Sequence, residues 1–295
     1  MKLGKKTIHI RYQAEPEPTL IAYLVQNERN NYEIISTAKH VLETYQIENG
    51  ILKDFQVVGD KLLHGLGELG KVKDTVSLIY DMKHLVRFNT VLPRASLTKS
   101  KMLAKKELNE FFDFNADFYY SVSRIFSARE RGMIFYFDLV PKEIVLSIDK
   151  VTNAMNHYVD AHTNLVQVVS DFFASKVSTP LDTFVIYQDD YCTHVILLFH
   201  SRLVESLAFN NDANLEEIMS GIEVLRNKHS FTFEKRDVNH VALMMKSDNK
   251  LRTLWIKGLA DNHFETSEIE YQDDEIVIYA IKHMDEIKQG FFQKL

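Results

Sequence analysis

The residues best suited to chemistry in this chain are crowded into Tyr187-Gln-Asp-Asp-Tyr-Cys-Thr-His194, with His200 close behind. Asp189 and Asp190 are adjacent carboxylates that could hold a hard metal ion, although paired acids in a hairpin turn ordinarily do no more than meet solvent. Cys192 offers a thiol, with His194 or His200 as a base. A working thiol also needs an oriented base and an oxyanion site, and adjacent positions on a strand point to opposite faces. Catalysis by Cys192 is therefore not expected. His157 and His162 are read on one helix, where their spacing is poor for a shared metal. The aromatic run Phe111-Phe-Asp-Phe-Asn-Ala-Asp-Phe-Tyr-Tyr120 could line a partner groove or pack in a core.

These residues need a frame. Residues 183–199, followed by 204–209, read as three strands joined by tight turns, entered from Ser178-Thr-Pro180. Upstream, 7–12, 20–25 and 32–41 supply further strands, the first two separated by Gln13-Ala-Glu-Pro-Glu-Pro18. Asp54 follows the turn Glu48-Asn-Gly50 and is placed to cap a helix whose Phe55, Val58, Leu62, Leu63 and Leu66 keep the 3.6-residue period. Gly65, Gly67 and Gly70 are expected to end that helix. Strands over 74–80 and 86–92, the latter closing at Pro93, precede a charged helix over 97–112. Strands over 118–126 and 133–139 follow. A helix opened by Pro141 then carries Ile144, Ile148, Val151, Met155 and Tyr158 on one face. Residues 165–174 form a linking helix. Asn214 and Glu217 have capping-box spacing at the head of a helix through Leu225, and 238–245, 268–271 and 275–281 complete the strands. The alternation argues an α/β fold with mixed sheets in two halves that split near residue 165.

With 295 residues the chain is long enough for two domains. Its 45% apolar and 26% charged residues belong to a folded chain rather than a disordered one. A balance of 35 basic against 41 acidic residues, formally −6, gives no broad drive toward nucleic acid or anionic lipid. A lone cysteine excludes an internal disulfide framework and a zinc cluster built on cysteines, and it fits a reducing compartment. The basic start Met1-Lys-Leu-Gly-Lys-Lys6 runs into Thr7-Ile-His-Ile-Arg11, which breaks the apolar run a signal peptide needs. No window approaches the roughly 18 apolar residues of a membrane helix. The expectation is a cytoplasmic protein without direct membrane insertion, which reaches the membrane only through a partner.

Glu48-Asn-Gly-Ile-Leu-Lys-Asp54 stands before an amphipathic helix, the strand segment 73–80 is followed by 85–93, which ends in an aliphatic-Pro step, and 134–139 leads into the helix from Pro141. In this order and spacing the segments resemble the PilM branch of the FtsA/actin-like superfamily, the cytoplasmic assembly proteins of type IV pilus systems, over most of the chain. The resemblance implies an actin-like two-domain fold. Domain I would span 1–164 with an inserted subdomain near 95–132. Domain II, 165–295, would be reduced, because only residues 210–213 are available for its outer subdomain.

The family's nucleotide machinery is not matched. Its first phosphate loop carries an acid and glycines, and Ile8-His-Ile-Arg-Tyr-Gln-Ala14 has neither. Its second, Asp-x-Gly-x-x-Thr, corresponds to Tyr187-Gln-Asp-Asp-Tyr-Cys-Thr193: Tyr187 and Asp189 hold the acid and glycine places and only Thr193 is kept. Its adenosine glycines would follow Val241-Ala-Leu-Met-Met245, where the chain reads Lys246-Ser247-Asp-Asn249. Asp189 and Asp190 would also repel a polyphosphate, at roughly 3 kcal/mol per charge pair at about 5 Å and an effective dielectric of 20. No cofactor, no metal and no catalytic residue are expected.

What the resemblance implies instead is a non-catalytic scaffold that holds a short cytoplasmic tail of an inner-membrane partner and links it to the assembly ATPase. The cytoplasmic part of the type II secretion L protein resembles this shortened plan. The family groove would fall on Val91, Leu92, Phe111, Phe112, Phe118 and Tyr119. The rival reading is an ATP-binding ATPase or sugar-kinase-type enzyme on the same fold, since fold does not determine function.

Overall fold

The computed structural model describes residues 5–14, 17–81, 86–92, 96–111, 118–128, 132–229, 238–246 and 251–292. β1 (Lys5–Gln13), β2 (Thr19–Glu28) and β3 (Asn31–Val41) form an antiparallel meander, beside which β6 (Val72–Asp81) and then β10 (Tyr158–Asn164) add in parallel, giving the order β10-β6-β1-β2-β3. A short hairpin of β4 (Ile47–Glu48) and β5 (Ile51–Leu52) leads into α1 (Phe55–Leu66). Ile8, Ile10 and Tyr12 of β1 point to one face with Leu20, Leu24, Val76 and Leu78. They pack there against Val58, Leu62 and Leu66 of α1 and against Ile144, Ile148 and Val151 of α3 (Lys142–Ala154). The alternate positions Ile21, Tyr23, Val25 and Ile79 face α4 (Leu165–Lys176) and α7 (Asp273–Phe292) on the other side. Covering both faces is why β2 and β6 read as apolar runs rather than as clean alternations.

The second sheet repeats the plan. β11 (Thr183–Gln188), β12 (Cys192–Phe199) and β13 (Arg202–Asn210) are an antiparallel meander, and β14 (His240–Met244) and β15 (Glu265–Ile269) add in parallel, in the order β13-β12-β11-β14-β15. One face packs on α5 (Leu215–His229) and α6 (Leu251–Asp261) through Ile218, Ile222, Leu225, Trp255 and Leu259. The opposite face, with Val185, Tyr187, Ile196 and Ala242, shares the α4–α7 core with the first sheet. Two like sheets therefore meet across one pair of helices. A separate sheet, β7-β9-β8, is made of β7 (Val86–Leu92), β8 (Phe118–Ala128) and β9 (Gly132–Pro141), with α2 (Leu97–Phe111) joining β7 to β8. Among the described residues no helix is long and apolar enough to cross a membrane.

Several expectations are corrected. Residues 275–281 are not a strand but part of α7: Ile276, Val277, Ala280, Ile281 and Met284 are buried at helical spacing, and packing overrides the strand preference of a short Ile-Val-Ile-Tyr run. Tyr158 starts β10 instead of extending α3, because Asn156 turns left-handed at φ 59. His157 and His162 consequently share no helix: one lies in the turn and the other on β10. Asp54 does not cap α1; at φ 52 and ψ 44 it lacks the extended backbone of a cap and its side chain makes no capping bond. Gly65 lies within α1, and Gly67, at φ 74, closes it. The helix α6 was not anticipated. The capping box is present, with Asn214 N–H donating to Glu217 Oε2 (2.8 Å) and Glu217 N–H to Asn214 Oδ1 (3.0 Å). β13 ends at Asn210 and α5 begins at Leu215, so no folded unit separates them.

Candidate functional site

Where the two sheets face each other, the central strand β1 presents His9, Arg11 and Gln13 inward, alternating with its core residues. Arg11 is only 4% exposed and needs counter-charge. It finds two: its Nη2 donates to Asp81 Oδ2 at the end of β6 and to Asp189 Oδ2 (2.6 Å) in the turn after β11. Asp189 also accepts from Tyr187 Oη–H (3.1 Å) and, through Oδ1, from the backbone N–H groups of Tyr191 (2.8 Å) and Cys192 (3.1 Å). The side chain thus builds its own turn, as Asp does when it folds back on following amides. Tyr191 lies under the Arg11 guanidinium, 5.1 Å from ring centroid to Cζ.

The second oxygen of Asp81 faces His194 Nε2 at 3.0 Å, and Cys192 Sγ lies 3.1 Å from the same nitrogen. Cys192 and His194 are two apart on β12 and so share a face, which brings thiol and imidazole together. Reasoning from adjacent positions missed this. The geometry still does not make a nucleophile. A carboxylate only accepts, so Nε2 must carry the proton it gives to Asp81 and has no lone pair for the thiol proton. A triad uses the two ring nitrogens separately.

Burial raises the Asp81 carboxyl, but Arg11 and then His194 outweigh it and hold the group well below the usual carboxylate range. Burial likewise opposes the Arg11 charge, and Asp189 and Asp81 more than restore it. Burial, then Asp81, pushes the Cys192 thiol up, and burial, then Asp189, does the same to Tyr187. Cys192 is therefore held as a thiol, not a reactive thiolate.

Beside this cluster a cleft of about 210 Å³ is lined by Tyr23, Tyr187, Tyr191, Tyr271, Asp190 and Lys246, among others. Asp190 is the solvated acid of the pair and meets Lys246 Nζ at 2.7 Å. Asp189 is not solvated, contrary to expectation: at 9% exposure it is neutralised by Arg11. The obstacle to a polyphosphate is thus an ion cluster in the way, rather than a bare charge at Asp189. Thr193 points away, fully buried against Gln188 Nε2 (3.1 Å). Tyr187, Asp189 and Lys246 line this cleft, and Thr193 does not. Ser247 and Phe112 lie outside the described residues. Phe111 ends α2, Phe118 and Tyr119 open β8, and Val91 precedes the buried Leu92 at the close of β7.

Arg11 and Asp81 were not anticipated. The sequence shows only a strand over residues 7–12, and it is the facing second sheet that turns its polar face into an interior.

No protein-family model matches this chain, and no curated protein matches it significantly. Solved structures do. The PilM–PilN type IV pilus biogenesis complex matches at 11% identity and a TM-score of 0.60, over 89% of this chain and 88% of that one. The cytoplasmic domain of EpsL, an inner-membrane component of the type II secretion system of Vibrio cholerae, matches at 9% identity and a TM-score of 0.53, over 94% and 95%. A Bacteroides thetaiotaomicron protein of actin-like ATPase fold and unknown function matches at 8% and 0.52, over 94% and 96%. The chain has the actin-like fold, and that fold is PilM-like.

Proposed function

We propose that this protein is a non-catalytic scaffold that holds a short cytoplasmic tail of an inner-membrane partner in a pilus, competence or secretion machine and links it to the assembly ATPase. The observation that carries the reading is Arg11. A side chain bound by both Asp81 and Asp189 fills the junction of the two sheets with a buried ion cluster, and no glycine lets backbone amides near a phosphate there. The likeness to PilM in its complex with PilN, and to the cytoplasmic domain of EpsL, supports the choice of partner class. The same reading makes the protein cytoplasmic and peripheral to the membrane.

In this reading residues 1–164 are domain I, with the β7-β9-β8 unit inserted, and 165–295 a domain II reduced to a single sheet with its helices. The repeated strand order supports that division. The tail would dock on Val91, Leu92, Phe111, Phe112, Phe118 and Tyr119. β7 and β8 are the two edges of their sheet, and an extended peptide adds to an edge through its backbone.

The test starts by cross-linking the full chain in membranes of its native host and identifying inner-membrane proteins with a short cytoplasmic segment. A synthetic peptide of that segment is then titrated into the chain. Binding near 1 μM, about 8 kcal/mol, is expected with no added nucleotide. A peptide that binds only in the presence of Mg-ATP would favour the ATPase reading instead.

A further inference from the structure

Among the described residues, one group of side chains has the composition of a transition-metal site: Asp81, Cys192 and His194, each buried, with ligand atoms all within 4.8 Å of one another. The separations are close to those of a filled site. Sγ and Nε2 are 3.1 Å apart and Nε2 and Asp81 Oδ1 3.0 Å, while Sγ lies 3.6 Å from the other carboxylate oxygen, Oδ2. Tetrahedral zinc with ordinary bond lengths would set such ligand pairs at about 3.3–3.6 Å, so the Sγ–Nε2 and Nε2–Oδ1 pairs need open by only a few tenths of an ångström.

We propose that Asp81, Cys192 and His194 bind a divalent transition ion of the zinc or cobalt class. Thiolate and imidazole donors select such ions over magnesium. The site is therefore distinct from the metal of a nucleotide complex, and it does not depend on the scaffold reading.

Charge favours it. With the imidazole neutral, two buried carboxylates, Asp81 and Asp189, face one guanidinium, Arg11. Adding a divalent ion and ionising Cys192 brings three negative charges against three positive ones. Arg11 stays on Asp81 Oδ2, where it orients the carboxylate whose Oδ1 turns to the metal, the role outer partners play in metal centres. On binding, the thiol proton leaves to solvent and the imidazole proton moves from Nε2 to Nδ1. His194 Nδ1 is buried with no hydrogen-bond partner, so no bond there has to break. A water would complete the fourth position.

Cys192 is the only cysteine of the chain, which makes the test specific. The untagged, metal-free chain is titrated with cobalt alone and read by absorption, then with zinc in competition. A thiolate-to-cobalt charge-transfer band, one cobalt per chain and displacement by zinc are expected. Cys192→Ser should abolish the band, and Asp81→Asn and His194→Gln should each weaken cobalt binding by more than about tenfold, with circular dichroism confirming the fold. A wild-type chain that binds cobalt without the charge-transfer band, or fails to bind it, overturns the proposal without recourse to any variant. So does a folded Cys192→Ser chain of unchanged affinity.

Discussion

Arg11 Nη2 lies 2.6 Å from Asp189 Oδ2, so the first strand of one sheet is tied to the turn after the first strand of the other by a buried ion pair. The same nitrogen holds Asp81 on the fourth strand of its own sheet. Removing the cation alone would leave two buried carboxylates facing each other. Arg11→Met should cost about 3–5 kcal/mol at neutral pH, measured by urea unfolding through the fluorescence of Trp255, the one tryptophan. The triple change Arg11→Met, Asp81→Asn, Asp189→Asn should recover most of that. A loss under about 1 kcal/mol for the single variant, the scale of a surface pair, would mean that water reaches the carboxylates.

Acid should loosen the same cluster. The Asp81 carboxyl titrates lower when folded than when unfolded, so its contribution is present above the unfolded value of about 4 and is lost as pH falls toward the folded value. Glu205 acts in the same direction: burial raises it, but hydrogen bonds from His229 and Lys228 lower it to about 2. Unfolding free energy should therefore decline from about pH 5 downward, and Asp81→Asn should flatten the decline. An unchanged slope in that variant would assign the acid sensitivity elsewhere.

Gly65 tests the packing of α1 on β3. The Cβ of an alanine there would stand 2.7 Å from the Cβ of Ala38, a methyl that cannot swing aside. Alanine gains about 1 kcal/mol of helix propensity, while overpacking costs about 1–3 kcal/mol. Gly65→Ala should be destabilising by about 1 kcal/mol net, read as a lower thermal midpoint. A raised midpoint would show that α1 can shift away from the sheet.

Much of this fold was legible in the sequence. The three-strand unit of β11, β12 and β13, the span of β7 and the capping box at Asn214 all rest on local signals: apolar and β-branched runs, turn residues, a reciprocal side-chain bond. What failed was decided at a distance. The Ile-Val-Ile-Tyr run of α7 became helical because a face was available against α4 and two sheets. Arg11 sits in a segment readable only as a strand, and its partners lie 70 and 178 positions away in sequence. No local pattern encodes such pairs. Cys192 and His194 were within reach of the sequence, since two-residue spacing on a strand already puts them on one face.

The groove proposed for the partner's tail gives a prediction that separates binding from stability. Once a tail peptide is identified, Phe118→Ala and Tyr119→Ala should each weaken its binding by roughly 2 kcal/mol and leave the thermal melt nearly unchanged. Variants that unfold would place those rings in a core, and variants that bind normally would move the groove elsewhere.

The measurement closest to the central claim is calorimetric titration of the full chain with Mg-ATP at neutral pH. With Arg11 held between Asp81 and Asp189, and with no glycine turn at Tyr187–Thr193 to admit a phosphate, we predict no binding heat up to millimolar nucleotide. A dissociation constant below about 100 μM, roughly 5.5 kcal/mol, would contradict it and return the protein to the nucleotide-binding members of its fold.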